Sequence, residues 1–113
     1  MDMRIAIVDD EPACRGVLRN ILRRDFPDVQ VIGEAGSVAE GMDMLQQETP
    51  DLLLLDVEME DGTGFDLLDR LGQVNFNVVF TTAHNDFAIR AFRYHAIDYL
   101  LKPVVPEELA VAV

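Results

Sequence analysis

The sequence predicts an α/β fold in which helices cover both faces of a five-stranded parallel sheet. Short apolar strand segments alternate with helical segments five times along the 113 residues. The most apolar segment, Asp51–Asp56 (DLLLLD), is a continuous run of leucines bounded by acids. Continuous apolar strands are typical of parallel sheets, because helices bury both of their faces. Right-handed crossovers between such units predict a doubly wound sheet.

The first half of the chain contains two of these units. Arg4–Asp9 (RIAIVD) is the predicted first strand, and Pro12 suits the first turn of the following helix. The second strand is predicted at Val29–Ala35, and Ser37–Glu40 reads as a capping box that starts the second helix. The first helix carries an apolar face and an arginine face that we expect to be solvated: Cys14, Val17, Leu18, Ile21 and Leu22 against Arg15, Arg19 and Arg23.

The second half contains three units. The third strand, Asp51–Asp56, is followed by a turn over residues 60–64 and a short third helix. The fourth strand is predicted at Phe76–Thr82 and the fifth at Ile97–Leu101. The fourth helix is predicted over Asp86–Tyr94, with four residues turned inward: Phe87, Ala88, Ala91 and Phe92.

A fifth helix opens at Pro106 and is truncated after about two turns, in an apolar stretch that ends at residue 113. We therefore expect residues 1–113 to be a single domain, with a further, C-terminal domain absent from this chain. The five units together predict a flavodoxin-like sheet with strand order 2-1-3-4-5.

Composition excludes several classes of function. Twenty-one acidic residues face nine basic ones, and a net charge of −12 opposes direct nucleic-acid binding by this domain. No apolar run approaches the roughly 20 residues of a membrane-spanning helix, and the N-terminus lacks a secretory signal. The single cysteine, Cys14, suits a reducing compartment, so we expect a cytoplasmic protein with no membrane contact.

Polar side chains gather where the predicted strands end. In a doubly wound sheet, sites form beyond the carboxyl ends of the strands. Three carboxylates, a threonine hydroxyl and the only lysine of the chain should therefore meet there: Asp9, Asp10, Asp56, Thr81 or Thr82, and Lys102.

Crowded carboxylates repel one another, and a hard divalent cation such as Mg²⁺ is the obvious way to neutralise them. Asp10 and Asp56 are the expected direct ligands, with the backbone carbonyl of Glu58 as a third and Asp9 acting through water. A carboxylate beside Mg²⁺ can also act as a nucleophile toward phosphorus, and Asp56 is the candidate because it ends a rigid apolar strand.

Four motifs resemble the receiver domains of two-component response regulators. They are IVDDEP at 7–12, LLLLDVEM at 52–59, FTTAH at 80–84 and DYLLKP at 98–103, and they occur in order at family-like spacing. The region from Thr81 to Val104 most resembles receivers joined to LytTR-type DNA-binding domains, which act in transcription regulation.

This resemblance implies a role for each matching residue. Asp56 would accept a phosphoryl group from a phosphohistidine of a sensor histidine kinase, and Asp9 and Asp10 would hold Mg²⁺. Thr82 would be the switch hydroxyl and Tyr99 the switch aromatic. Lys102 would contact the phosphoryl group, and its bond to Pro103 is expected to be cis.

The resemblance also implies an output. Movement of Thr82 toward the phosphoryl group would let Tyr99 rotate inward and change the surface formed by helix 4, strand 5 and helix 5. A homodimer through that surface would bring two attached output domains together. The chain departs from the family pattern at Glu60, where proline is frequent, so we expect a more acidic and more mobile loop. The short last helix is the second departure.

Two exposed residues are expected to tune the lifetime of the phosphoryl group. Glu58 lies two residues after Asp56, and His84 lies two after Thr82, so both should overhang the site. The domain would not be an enzyme, although it would assist its own phosphorylation and dephosphorylation.

Two alternatives remain open from the residues. Asp56-Val57-Glu58 resembles the Asp-x-Asp motif of haloacid dehalogenase-type aspartyl-phosphate hydrolases, with glutamate as the second acid. Alternatively, the domain is a pseudo-receiver, a binding module that is never phosphorylated.

Overall fold

The structure is a computed structural model, and it describes residues 3–84 and 86–113. The strands are β1 (Met3–Val8), β2 (Val29–Ala35), β3 (Leu52–Asp56), β4 (Glu58–Met59), β5 (Gly62–Thr63), β6 (Asn77–Thr82) and β7 (Asp98–Leu101). The helices are α1 (Pro12–Asp25), α2 (Val38–Gln47), α3 (Gly64–Leu71), α4 (Ala88–Arg93) and α5 (Pro106–Ala112). None of the described helices is long and apolar enough to cross a membrane.

The main sheet is parallel and has the order β2-β1-β3-β6-β7. Since β6 and β7 are its fourth and fifth strands, the predicted order 2-1-3-4-5 is confirmed. The predicted strand boundaries are correct to within about one residue. All four leucines of β3 are almost fully buried, as expected of a central strand covered on both faces.

The sheet separates two apolar layers, because alternate residues of a strand point to opposite faces. Ile5 and Ile7 of β1 and Leu54 of β3 pack with α1 and α5. Leu53 and Leu55 of β3 pack with α2, α3 and α4. The same alternation decides toward which layer each polar residue at the strand ends points.

Helix α1 differs from the prediction at several positions. Cys14 is only half-buried, and Val17 is 50% exposed, so neither belongs to the core. The arginines do not form a uniformly solvated face either. Arg19 Nη1 lies 2.7 Å from Glu34 Oε2, and Arg15 Nη1 donates to the Asp9 carbonyl at 2.6 Å. Both arginines are drawn to acceptors at the ends of β1 and β2.

Helix α4 is shorter than predicted, and two of its inward assignments are wrong. The buried stripe is formed by Phe87, Ala91 and Tyr94, spaced four and three residues apart. Ala88 and Phe92 lie on the adjacent face, and Phe92 is 81% exposed. The space beneath α4 is already occupied by aromatic rings, including Phe65, whose centroid is 5.0 Å from that of Tyr94.

A hairpin, β4–β5, follows Asp56 where a turn was predicted. Asp61 at its tip accepts hydrogen bonds from the backbone N–H groups of Val38 and Ala39, at 2.8 and 3.1 Å. These bonds lower the pKa of Asp61 and attach the loop to the start of α2. Ser37 caps α2 through the Glu40 N–H.

The complete capping box among the described residues is at the start of α3, where Thr63 and Asp66 exchange hydrogen bonds. The capping box predicted at Ser37–Glu40 is therefore only half formed. The Gly-rich context of Thr63 predicts a turn, so the capping box there is a finding of the structure.

Candidate functional site

Three carboxylates meet at the carboxyl end of the sheet. Asp9 follows β1 and Asp56 ends β3, and these two strands are hydrogen-bonded neighbours. Oxygen atoms of Asp9, Asp10 and Asp56 lie within 4.8 Å of one another. Asp9 is held in place by its N–H, which donates to the Ala35 carbonyl at 3.0 Å. The acidic residues that the sequence placed at the strand ends are thus brought together.

Lys102 lies directly against this cluster. Its Nζ is 3.0 Å from Asp9 Oδ2 and 3.5 Å from Asp56 Oδ2. Its backbone N–H donates to the Thr82 carbonyl at 2.7 Å, which continues the pairing of β6 with β7. The Lys102–Pro103 peptide bond is cis, as predicted. The ammonium group therefore lies between two carboxylates that come from different strands.

Two pKa values in this cluster are raised, that of Asp56 mainly by burial and that of Lys102 by its acidic neighbours. Burial, followed by the negative charges of Asp9 and Asp10, raises the pKa of Asp56 to about 7, although Lys102 opposes the shift. Burial works against the charge of Lys102, but the hydrogen bond with Asp9 and the charges of Asp56 and Asp9 outweigh it and raise the pKa of Lys102. One ammonium group does not balance three carboxylates.

This donor set fits a hard divalent cation. The three side chains offer only oxygen atoms, which Mg²⁺ prefers, and the net negative charge gives such a cation an electrostatic reason to bind. Asp10 and Asp56 also border an open cleft of about 410 Å³, so a cation there would keep room for water or a phosphoryl oxygen.

The backbone around Asp56 is held by contacts that sequence analysis did not identify. Val57 N–H donates to the Thr81 carbonyl at 3.1 Å, and Gly64 N–H donates to the Val57 carbonyl at 2.8 Å. A Cβ atom on Gly64 would lie 2.5 Å from the Asp56 carbonyl oxygen, so only glycine fits this close approach. The Gly-Thr-Gly pattern at 62–64 was the available signal.

Neighbouring threonines at the end of β6 point to different places. Thr81 and Thr82 are each 1% exposed, and the strand alternation directs them to opposite faces. Thr82 borders the acidic cleft, and its Oγ1 accepts a hydrogen bond from the His84 N–H at 3.2 Å. Thr81 borders a separate cavity.

Tyr99 connects β7 to the segment between β6 and α4. Its hydroxyl donates to the His84 carbonyl at 2.5 Å and accepts from the Phe87 N–H at 3.3 Å. Burial raises the pKa of Tyr99, so its hydroxyl keeps its proton near neutral pH. The segment held by Tyr99 begins immediately after Thr82. The backbone of His84 therefore connects the two predicted switch residues, because it is hydrogen-bonded to both Thr82 and Tyr99.

Glu58 and His84 face each other across the mouth of the cleft. Both line it, and the His84 Nε2 lies 3.6 Å from Glu58 Oε1. Each side chain is more than half exposed. Glu58 lies in β4, two residues after Asp56, and Glu60 is on the same rim. The rim is therefore acidic, and the Glu60 loop is held in a hairpin.

Comparison with known proteins connects this geometry to a family. Residues 5–113 match the response regulator receiver domain family. The chain is 40% identical over 109 residues to the sensory transduction protein LytT of Enterococcus faecalis, covering 95% of this chain and 45% of that protein. It is 38% identical over 103 residues to the transcriptional regulatory protein BtsR of Escherichia coli K12, covering 90% and 43%. The chain spans less than half the length of these relatives.

Solved structures agree with the sequence comparison. A two-component response regulator of the LuxR family from Aurantimonas sp. SI85-9A1 superposes with a TM-score of 0.86 at 28% identity, covering 99% of this chain and 82% of that one. The REC domain of AraT, a response regulator from Geobacillus stearothermophilus, gives 0.86 at 27% identity, covering 98% and 89%.

The crowding of carboxylates predicts that Asp56→Asn stabilises the metal-free protein. In EDTA at pH 8 we expect its free energy of unfolding to rise by about 1–2 kcal/mol, because one buried charge is removed. The pKa of Asp56 is about 7 in the folded state against an ordinary 3.8. Wild type therefore loses stability as the pH rises between these values, and the gain should vanish below about pH 4.

Urea unfolding measures this difference. Asp43→Asn, on the exposed face of α2, is the matched control and should change stability by less than ~0.5 kcal/mol. Added Mg²⁺ should stabilise wild type more than Asp56→Asn. Equal or lower stability of Asp56→Asn in EDTA at pH 8 would contradict the electrostatic interpretation.

Proposed function

The chain belongs to the response regulator receiver domain family, and we propose that Asp56 is the residue at which it accepts a phosphoryl group from the histidine of a sensor kinase. The observation that carries this proposal is the meeting of Asp9, Asp10 and Asp56 within 4.8 Å beside Lys102. Among these carboxylates, Asp56 is both rigidly held at the end of β3 and open to the 410 Å³ cleft.

The transfer is a substitution at phosphorus. A carboxylate oxygen of Asp56 forms a bond to phosphorus while the bond from phosphorus to the donor nitrogen breaks, and its electron pair leaves with the imidazole. Lys102 would offset the charge that collects on the phosphoryl oxygens, and the Thr82 hydroxyl would donate a hydrogen bond to one of them. The domain assists this reaction by positioning, so we do not class it as an enzyme.

Mg²⁺ is the proposed cofactor, with Asp10, Asp56 and the Glu58 carbonyl as direct ligands and Asp9 acting through water. When bound, it supplies positive charge for the attacking carboxylate and the transferred group. The residues around it orient Asp56, exclude bulk water from its inner side and keep Lys102 protonated.

The regulatory effect of phosphorylation would require a part of the protein that lies outside residues 1–113. Because the LytT and BtsR relatives are more than twice as long as this chain, we propose that residues 1–113 act on an output domain C-terminal to them. The attached domain would be DNA-binding, of the LytTR type, while the acidic receiver itself makes no nucleic-acid contact. We place the protein in the cytoplasm, where a histidine kinase would phosphorylate it.

The switch would act through the segment between β6 and α4. Movement of Thr82 toward a phosphoryl oxygen releases its hydrogen bond from the His84 N–H. The hydroxyl of Tyr99 is bonded to the His84 carbonyl, so the same shift changes the position of the aromatic ring. A local charge at Asp56 would in this way reach the surface of α4 and β7.

Six of the seven exposed large apolar side chains among the described residues lie in or beside α4, β7 and α5. We propose that phosphorylation brings two copies together through α4, β7 and α5. The exposed apolar residues of this surface are Ile89, Phe92, Ile97, Leu101, Val105 and Val111. Patches of this kind mark interaction sites in other proteins, and Phe92 would supply the large aromatic anchor.

Phosphorylation at Asp56 predicts a single covalent addition. Incubation with acetyl phosphate and Mg²⁺ should add one phosphoryl group to wild type and none to Asp56→Asn, measured by intact mass. Asp51→Asn is the matched control, because Asp51 borders the same leucine run at its opposite end. Loss of labelling in Asp51→Asn, or labelling of Asp56→Asn, would contradict the assignment.

The same measurement separates the two alternatives. A pseudo-receiver would remain unmodified in all variants. A hydrolase of the haloacid dehalogenase type would consume acetyl phosphate in many turnovers without retaining the label, whereas a receiver retains one phosphoryl group per chain.

The Glu58–His84 pair predicts control of the phosphoryl lifetime. Glu58→Ala and His84→Ala should each change the rate of autodephosphorylation several-fold, because both residues border the path of an attacking water, while both variants are still phosphorylated. Decay is followed by intact mass after removal of acetyl phosphate. Glu107→Ala, on α5, should decay like wild type, and equal rates in all four proteins would refute the role.

The dimer proposal predicts a change in association state. Beryllofluoride with Mg²⁺ should shift wild type toward a dimer in sedimentation velocity, and Phe92→Ser should weaken that dimer at least tenfold. Gln46→Ser is the control, since Gln46 is exposed on α2, which packs on β2 at the opposite edge of the sheet. An unchanged association state together with unchanged NMR signals from α4 would exclude the switch.

A further inference from the structure

A second cavity lies next to the acidic cleft, between α1 and the segment that follows β7. Its volume is about 130 Å³, and its walls are almost wholly apolar. Cys14 and Leu18 of α1 form one side, and Val104 forms the other. Val17, at 50% exposure, lines it as well and gives it an apolar entrance. Nothing in the proposed phosphoryl transfer uses this space.

A buried hydroxyl borders this cavity without a partner. Thr81 is 1% exposed, and its Oγ1 makes no hydrogen bond to any part of the chain that the structure describes. Buried polar atoms are nearly always hydrogen-bonded, so an unpaired one needs an explanation. Strand alternation turns Thr81 away from the acidic cleft and toward the α1 side of the sheet, where it lines the cavity.

The volume of the cavity and the polarity of its walls favour one class of ligand. Apolar cavities of about 150 Å³ hold benzene in other proteins, so 130 Å³ suits a single small ring. A water molecule needs two to four polar partners. Here Asp9 Oδ2 lies 3.0 Å from Lys102 Nζ in an ion pair, although neither it nor Thr81 Oγ1 has a hydrogen-bond partner among the described residues. Because the ion pair offsets the charge of Asp9, the Thr81 hydroxyl is the neutral polar group that a ligand with one hydrogen-bonding group would meet.

We propose that this cavity is a binding site for a small neutral aromatic molecule with one hydroxyl group. The ring would pack against Cys14, Leu18 and Val104, and its hydroxyl would pair with Thr81 Oγ1. Because Asp9 and Lys102 border the cavity, a bound ligand would touch the charged side chains that flank Asp56. The site would thus connect a small molecule to the phosphoacceptor without occupying the cleft.

Phenol and benzene are the two probes, and the single cysteine of the chain supplies the readout. Alkylation of Cys14 by iodoacetamide, followed by intact mass, should slow as either probe fills the cavity. Phenol should reach half of its effect at a concentration about two- to tenfold lower than benzene, the usual gain from one neutral hydrogen bond. Phenol should also raise the melting temperature.

Thr81→Val tests the hydroxyl itself, because it removes the oxygen and keeps the shape. It should abolish the preference for phenol over benzene while both probes still protect Cys14. Thr49→Val, at an exposed position, is the matched control and should keep the wild-type preference. Melting curves establish that each variant is folded.

Methyl NMR shifts of Leu18 and Val104 in wild type provide a measurement that needs no variant. Saturable shifts with phenol would support the site. Absence of both protection and shifts would overturn the proposal, and so would an unchanged phenol preference in Thr81→Val. Because no step uses phosphorylation, these outcomes are independent of those at Asp56.

Discussion

The site depends on an imbalance of charge at the carboxyl end of a buried sheet. Oxygen atoms of Asp9, Asp10 and Asp56 are held within 4.8 Å of one another, and among the described residues Lys102 is the one cation that contacts both Asp9 and Asp56. In a poorly solvated setting this arrangement is costly, and it raises the pKa of Asp56 to about 7. Such crowding gives a divalent cation an electrostatic reason to bind at this position.

The pleat of the sheet places the side chains of adjacent residues in different sites. Consecutive side chains of β6 point to opposite faces, so Thr82 borders the acidic cleft and Thr81 borders the apolar cavity against α1. The rest of the core follows the same division into two layers. Lys102 borders both spaces.

The path from the acidic cleft to the outer surface is short. The N–H of His84 donates a hydrogen bond to the Thr82 hydroxyl, and the carbonyl of His84 accepts one from the Tyr99 hydroxyl. Beyond it, Phe87 and Tyr94 pack on Phe65 beneath α4. Because the aromatic rings fill the interior, α4 turns Phe92 outward, and the apolar face of this surface is a consequence of the packing below it.

The sequence by itself determined the sheet order and the identity of the residues at its carboxyl end. Five regular strand–helix units predict a doubly wound parallel sheet, its flavodoxin-like topology gives the strand order, and the acids that end the strands mark its carboxyl end. Helix faces were less predictable. A period of 3.6 residues allowed either Phe92 or Tyr94 to turn inward, and only the space left by Phe65 decided between them.

Several features of the site were decided by tertiary structure alone. The need for glycine at position 64 arises from its contact with the Asp56 carbonyl, and Arg15 leaves solvent because the Asp9 carbonyl lies within reach. The Thr81 hydroxyl, which has no hydrogen-bond partner in the described part of the chain, likewise borders a gap that α1 and the segment after β7 leave between them. Each depends on atoms distant in sequence, whose separation no local pattern encodes.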